Sequence, residues 1–122
     1  MILTQINKNI MKIIFLSLLI SLVFPTEDIS GIWNTGRDNT KIEIYKKDSE
    51  YFGEIISSDN TKAKKGTLII RNFTYQEDKW KGKFYSLRFD KLIDAEISID
   101  NNILSVTVYS GFKSKTVEWE KQ

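Results

Sequence analysis

The chain has 122 residues, with 18 Lys and Arg against 16 Asp and Glu, and neither cysteine nor histidine. That length holds one domain, and the missing residue types exclude a disulfide framework, thiolate zinc sites, a lipid-bearing cysteine and catalysis through an imidazole. All 16 acidic residues fall at or after Glu27, beside 16 Lys and Arg, so 27–122 has no net charge and lacks the basic excess of a nucleic-acid binder.

The chain opens with Lys8 and Lys12 and then an apolar run, Ile13 to Phe24, broken only by Ser17 and Ser21. A charged start, a short apolar stretch and a polar exit at Pro25-Thr26-Glu27 predict an N-terminal signal helix over 1–26, because a bilayer span needs ~20 apolar residues. The expectation is therefore an exported protein, periplasmic or extracellular, with a working domain of 27–122 and no stable membrane span after cleavage.

From Gly31 onward, short runs with period-two alternation are separated by polar turns, the pattern of an antiparallel meander. Gly31-Ile32-Trp33 opens the first strand. Thr40 to Lys47 alternates Ile42 and Ile44 against Lys41 and Glu43, and Tyr51 to Ser57 returns after Lys47-Asp48-Ser49-Glu50. Ser58 to Gly66 is the longest polar loop and the place expected to tolerate length change; its Lys62, Lys64 and Lys65 read as a solvated surface.

Gly66 to Tyr75 is the densest apolar run, which predicts a strand covered on both faces. Gln76-Glu77-Asp78 turns the chain into Lys79 to Tyr85, where Trp80, Gly82 and Phe84 share one face and Lys79, Lys81 and Lys83 the other. Gly53 and Gly82 inside strands predict points of curvature. Arg88 to Leu92 fits either a short helix or a connection. Ile93 to Ile99 and Leu104 to Val108 then form a hairpin around Asp100-Asn101-Asn102, and Ser110 to Lys113 turns into a last strand bearing Val117 and Trp119. The expected fold is all-β: a small antiparallel up-and-down barrel of seven to eight strands, with a two-sheet sandwich as the alternative. Closure is favoured because it removes open edges.

Gly31-Ile32-Trp33-Asn34-Thr35-Gly36, Tyr51-Phe52-Gly53-Glu54-Ile55, Trp80-Lys81-Gly82-Lys83-Phe84-Tyr85, Tyr109-Ser110-Gly111 and Lys115-Thr116-Val117-Glu118-Trp119-Glu120-Lys121 occur in this order. Together they resemble a family of small secreted bacterial proteins, domain-of-unknown-function family 2147. The resemblance implies a lipocalin-like barrel, exported and without an established enzymatic activity. It departs from the family in the central loop, where only Asp59-Asn60 corresponds to a longer stretch rich in Asp, Asn and Pro.

Trp33, Trp80, Phe84, Tyr85, Tyr109 and Trp119 are the candidate ligand-binding residues, since barrels that hold an apolar guest are lined by aromatic walls. The same rings could instead fill the interior, each burying ~150–250 Å². Asp94 and Glu96 are the pair nearest to a carboxylate dyad, but alternation puts them opposite Ile93, Ala95 and Ile97, on a solvent face. No catalytic, metal or cofactor site is expected. The functional expectation is an exported, non-catalytic barrel that binds a small apolar or amphipathic ligand in the cell envelope; the alternative is a filled barrel acting through contacts with an envelope protein.

Overall fold

The computed structural model describes residues 28–122; the predicted signal helix lies outside them. Eight strands follow one another: β1 (Gly31–Asn34), β2 (Lys41–Lys47), β3 (Glu50–Ser57), β4 (Leu68–Gln76), β5 (Lys79–Ser86), β6 (Lys91–Asp100), β7 (Ile103–Ser110) and β8 (Lys113–Lys121). Each pairs antiparallel with the next, and β1 pairs with β8, so the sheet closes into an up-and-down barrel and not a sandwich. The closing seam is short: Trp33 opposite Lys121 and Asn34 opposite Glu120, extended by the Gln122 N–H donating to the Ile32 carbonyl at 3.0 Å.

The two ends of the barrel differ in how the chain turns. At one end lie the two-residue hairpin loops Asp48-Ser49, Glu77-Asp78 and Asn101-Asn102, with the chain entering at Asp28. Glu77 and Asp78 both take positive φ, 52° and 67°, the combination a tight hairpin with the strands' own twist demands. At the other end are the longer β1–β2, β3–β4 and β5–β6 connections and one tight turn at Gly111-Phe112. Leu87 to Asp90 is a turn and carries no helix, because β6 has already begun at Lys91.

The buried core comes from inward-facing residues of every strand but β5: Trp33, Ile42, Ile44, Ile55, Ile70, Phe73, Ile97, Leu104, Val106 and Trp119, with Ile29 ahead of β1, and half-buried Trp80 and Phe84 of β5 pack against it. Register shifts in β4 shape it. Between the pairs Arg71–Lys83 and Thr74–Lys81, β4 has two residues, Asn72 and Phe73, opposite the single Gly82 of β5. Asn72 takes φ 56° there and its amide donates to Glu50 Oε2 at 2.7 Å, while Phe73 turns fully inward. A second irregularity lies between the pairs Gly53–Ile70 and Glu54–Leu68, where Ile69 is the extra residue, and Ile69 and Ile70 are both buried. The glycines thus do sit at irregular points, as expected of bulges. Their immediate reason is close approach: a Cβ on Gly82 would lie 2.5 Å from the Phe73 ring, and one on Gly53 would lie 2.9 Å from Ile70 Cβ.

The β3–β4 connection is more tied down than a freely extendable loop. Its Asp59 N–H donates to the Asp38 carbonyl of the β1–β2 loop at 2.8 Å, the Ser58 and Thr40 hydroxyls share a 2.6 Å hydrogen bond, and Ala63 is buried. This loop therefore roofs the barrel over β1 to β4.

Candidate functional site

Trp33 seals the end where the chain enters. Its indole N–H donates to the Ile29 carbonyl at 2.9 Å, folding residues 28–30 back across the barrel mouth so that Ile29 and Trp33 are both completely buried. Tyr51 meets Trp80 edge-on at 4.7 Å, and Trp80 also leans on Tyr75 at 5.0 Å. Trp119, opposite Leu104 in the ladder, completes the floor. An aromatic layer of this kind supplies much of the barrel's buried apolar area.

Asp28 fastens the same segment. Its carboxylate accepts the Ser30 N–H at 2.9 Å, and this bond, with smaller help from the Tyr51 hydroxyl and the Lys46 charge, outweighs desolvation and holds its pKa below the usual 3.8. A folded-state pKa below the unfolded one contributes stability above the unfolded value and loses it as pH falls through the folded value. The stability gap between the wild type and Asp28→Ala, followed by thermal unfolding, is therefore expected to be widest near neutral pH and to shrink as the pH falls below the ordinary carboxylate range. A gap independent of pH would show that the carboxylate charge does not hold the segment.

The far end behaves differently on its two sides. Over β1 to β4 the inward residues Ile42, Ile55 and Ile70 stay buried beneath the β3–β4 loop. Over β5 to β8 the inward residues become exposed toward the rim. On β7 the inward row runs from Leu104 and Val106, fully buried, to half-buried Val108 and exposed Ser110; on β8 it runs from Trp119, 4% exposed, to Val117, 36% exposed, and then to Lys115 and Lys113 in solvent. Phe84 and Ile93, paired across β5 and β6, are half-buried at the same level. The result is an apolar opening walled by Phe84, Ile93, Val108 and Val117, with lysines at its lip.

Of the six residues selected from sequence, the structure brings Trp33, Trp80 and Trp119 to the sealed floor and Phe84 to the opening. Tyr85 and Tyr109 lie on the outer wall. Tyr85 shares its face with Lys83, donates to Asp90 and lies 4.9 Å from the Arg71 guanidinium. Tyr109 stands opposite Asp94 and donates to Glu96 Oε2 at 3.1 Å. Both phenols are raised above their ordinary pKa, Tyr85 chiefly by the Asp90 carboxylate and Tyr109 chiefly by desolvation and then Glu96, so they act as neutral donors. A guest inside the barrel would not meet either. Alternation already carried that signal, because Tyr85 follows the outward Lys79, Lys81 and Lys83. The opening residues Ile93, Val108 and Val117 were missed, although their parity with Ile97, Val106 and Trp119 marks them as inward.

The carboxylates Asp94 and Glu96 are engaged on the outer wall, Asp94 with Lys83 and Glu96 with Lys79 at 3.4 Å. Among the described residues no group of three or more acidic, His or Cys side chains is placed to hold a metal ion.

A closed eight-stranded up-and-down barrel of this kind is a lipocalin-like fold. Residues 31–121 match the family described as "Uncharacterized protein conserved in bacteria (DUF2147)", and the chain belongs to that family. Among solved structures it is similar to protein HP1028 of Helicobacter pylori, described as belonging to the lipocalin family, at 20% identity and a TM-score of 0.65, with 80% of this chain and 84% of that one covered. That likeness establishes the shared fold. No curated protein matches the sequence.

Proposed function

We propose that this barrel is an exported, non-catalytic carrier of a small apolar or amphipathic molecule in the cell envelope. The observation that supports the reading is the one-sided loss of burial along the inward rows of β7 and β8, which leaves Phe84, Ile93, Val108 and Val117 as apolar walls reached from solvent. Apolar walls with a few polar groups at the lip suit a guest with a hydrocarbon body and a polar end. Export rests on the charged and apolar N-terminal segment.

Native mass spectrometry of the protein purified from its host is expected to show a lipid-sized adduct. The delipidated protein should bind the amphiphilic dye 1-anilinonaphthalene-8-sulfonate saturably. Val117→Trp, which fills the opening, should weaken that binding by about tenfold or more, whereas Thr107→Val on the outer wall should leave it unchanged. A clean protein mass together with no saturable dye binding would sink the carrier reading. Recovery of the protein in the cytoplasm with residues 1–26 intact would sink the export reading.

A further inference from the structure

Summed over the whole domain the charge vanishes, but the two ends of the barrel do not share it equally. The rim at the open end, residues 35–40, 58–67, 86–91 and 110–115, carries a net charge of +5. The sealed end, residues 28–30, 46–50, 76–79, 99–103 and 118–122, carries a net charge of −4. The ion pairs among the described residues, Lys79–Glu96, Lys81–Glu77 and Lys83–Asp94, involve no cation of the open rim.

The same rim bears apolar side chains that the fold does not use. Phe112, at the tip of the β7–β8 turn, is fully exposed, Phe89 on the β5–β6 turn is 64% exposed, and Leu87 and Leu92 beside it are exposed as well. Arg88 lies 5.3 Å from the Phe89 ring, and Lys91, Lys113 and Lys115 flank the two turns. In an up-and-down barrel these turns must emerge at one end, so exposed rings and basic residues point the same way. Isolated surface apolar residues need no explanation, but large ones gathered on projecting turns within a basic rim do. A nucleic acid would use the charge and leave the aliphatic Leu87 and Leu92 in water; a bilayer surface uses both, taking rings to the headgroup boundary and cations to anionic headgroups.

We propose that the open rim docks on an anionic bilayer surface, with Phe112 and Phe89 entering the headgroup boundary and Arg88, Lys91, Lys113 and Lys115 meeting anionic headgroups. Docking in this orientation turns the opening toward the lipid and the acidic sealed end away from it. It is independent of whether a guest is carried, since it uses the turns and not the interior walls.

The test uses the chain from Glu27, which contains the eight strands, the closing seam and the buried core of the described residues, with its fold checked by circular dichroism. Sedimentation with phosphatidylcholine vesicles is expected to show binding only when phosphatidylglycerol is included, and salt should release it. Lys113→Glu with Lys115→Glu should weaken binding by at least ~25-fold, from about fivefold per basic residue, and Phe112→Ser by roughly tenfold. Lys46→Glu with Lys47→Glu, at the sealed end, should not weaken it. With Phe112→Trp, brominated acyl chains should quench the introduced indole. Equal binding to neutral vesicles, insensitivity to the rim substitutions, an unquenched indole, or association with duplex DNA or with itself in place of vesicles would each overturn the proposal. Vesicle binding without dye binding would leave docking standing while the carrier reading fails, and the reverse holds equally.

Discussion

Trp33→Ala is expected to destabilise the barrel by about 3–5 kcal/mol, the usual cost of removing a large buried ring, and so to lower Tm by at least ~12 °C for a domain of this size. Three roles meet in that side chain. It is fully buried on the shortest strand, its indole N–H holds the Ile29 carbonyl that folds 28–30 across the sealed end, and its strand forms the two-pair seam with β8. Losing the ring opens a cavity at the place where closure rests on the fewest ladder bonds. Against a total stability of about 5–15 kcal/mol that loss is large: unfolding by urea should begin at concentrations where the wild type is intact. Trp33→Phe keeps most of the volume but leaves the buried carbonyl without its donor, and about 1–3 kcal/mol is expected. A Trp33→Ala loss under ~1 kcal/mol would mean that the seam and the end segment stand without it.

Gly82→Ala is expected to be the next most damaging single change, although it adds only one methyl. The new Cβ would meet Phe73 Cδ1 at 2.5 Å, Phe73 Cγ at 2.7 Å and the Arg71 carbonyl oxygen at 2.8 Å. A flexible side chain could yield, but a fully buried ring and a backbone carbonyl in a paired strand cannot move without distorting the bulge at Asn72. Overpacking of this kind costs about 1–3 kcal/mol, and more where backbone must shift. A double-mutant cycle separates the cause: in a Phe73→Leu background the same Gly82→Ala change should cost less, with a coupling of about 0.5–3 kcal/mol. Strict additivity would show that the loss comes from strand conformation and not from the ring that occupies the space beside Gly82.

Both predictions rest on residues that the sequence singled out, but for reasons only partly visible there. Trp33 and Gly82 stand out because of their alternating neighbours, and alternation is enough to say inward. It does not say what fills the space beside them. Phe73 enters that space through a bulge, and a bulge reverses strand parity from that point onward, so a simple alternating reading carried from Ile70 to Tyr75 cannot place it. Ile29 escaped for a similar reason: it precedes the first strand, and its burial depends on a hydrogen bond from a residue four positions on.

The candidate site shows the same division. Phe84 is legible because it shares a face with Trp80, and ring chemistry marks the three tryptophans as candidates for the interior. Ring chemistry alone also points to Tyr85 and Tyr109, whereas parity sends them outside to Asp90 and Glu96. Whether an inward residue is buried or reached by solvent depends on which loop roofs it. Ile55 is covered by the β3–β4 loop carrying Ala63, and Val117 is not covered by the two-residue turn at Gly111-Phe112.

The sequence by itself determined the all-β class, a meander of seven to eight strands in order with ends within about two residues, and the positions of the turns, because side-chain alternation and turn chemistry are local properties of the chain. Closure, the sealed and open ends, and the separation of charge between them were decided only by the tertiary structure. Net charge is a sum along the chain and is blind to place: an even balance over 27–122 becomes a basic, aromatic rim and an acidic base only when antiparallel strands send alternate turns to opposite ends.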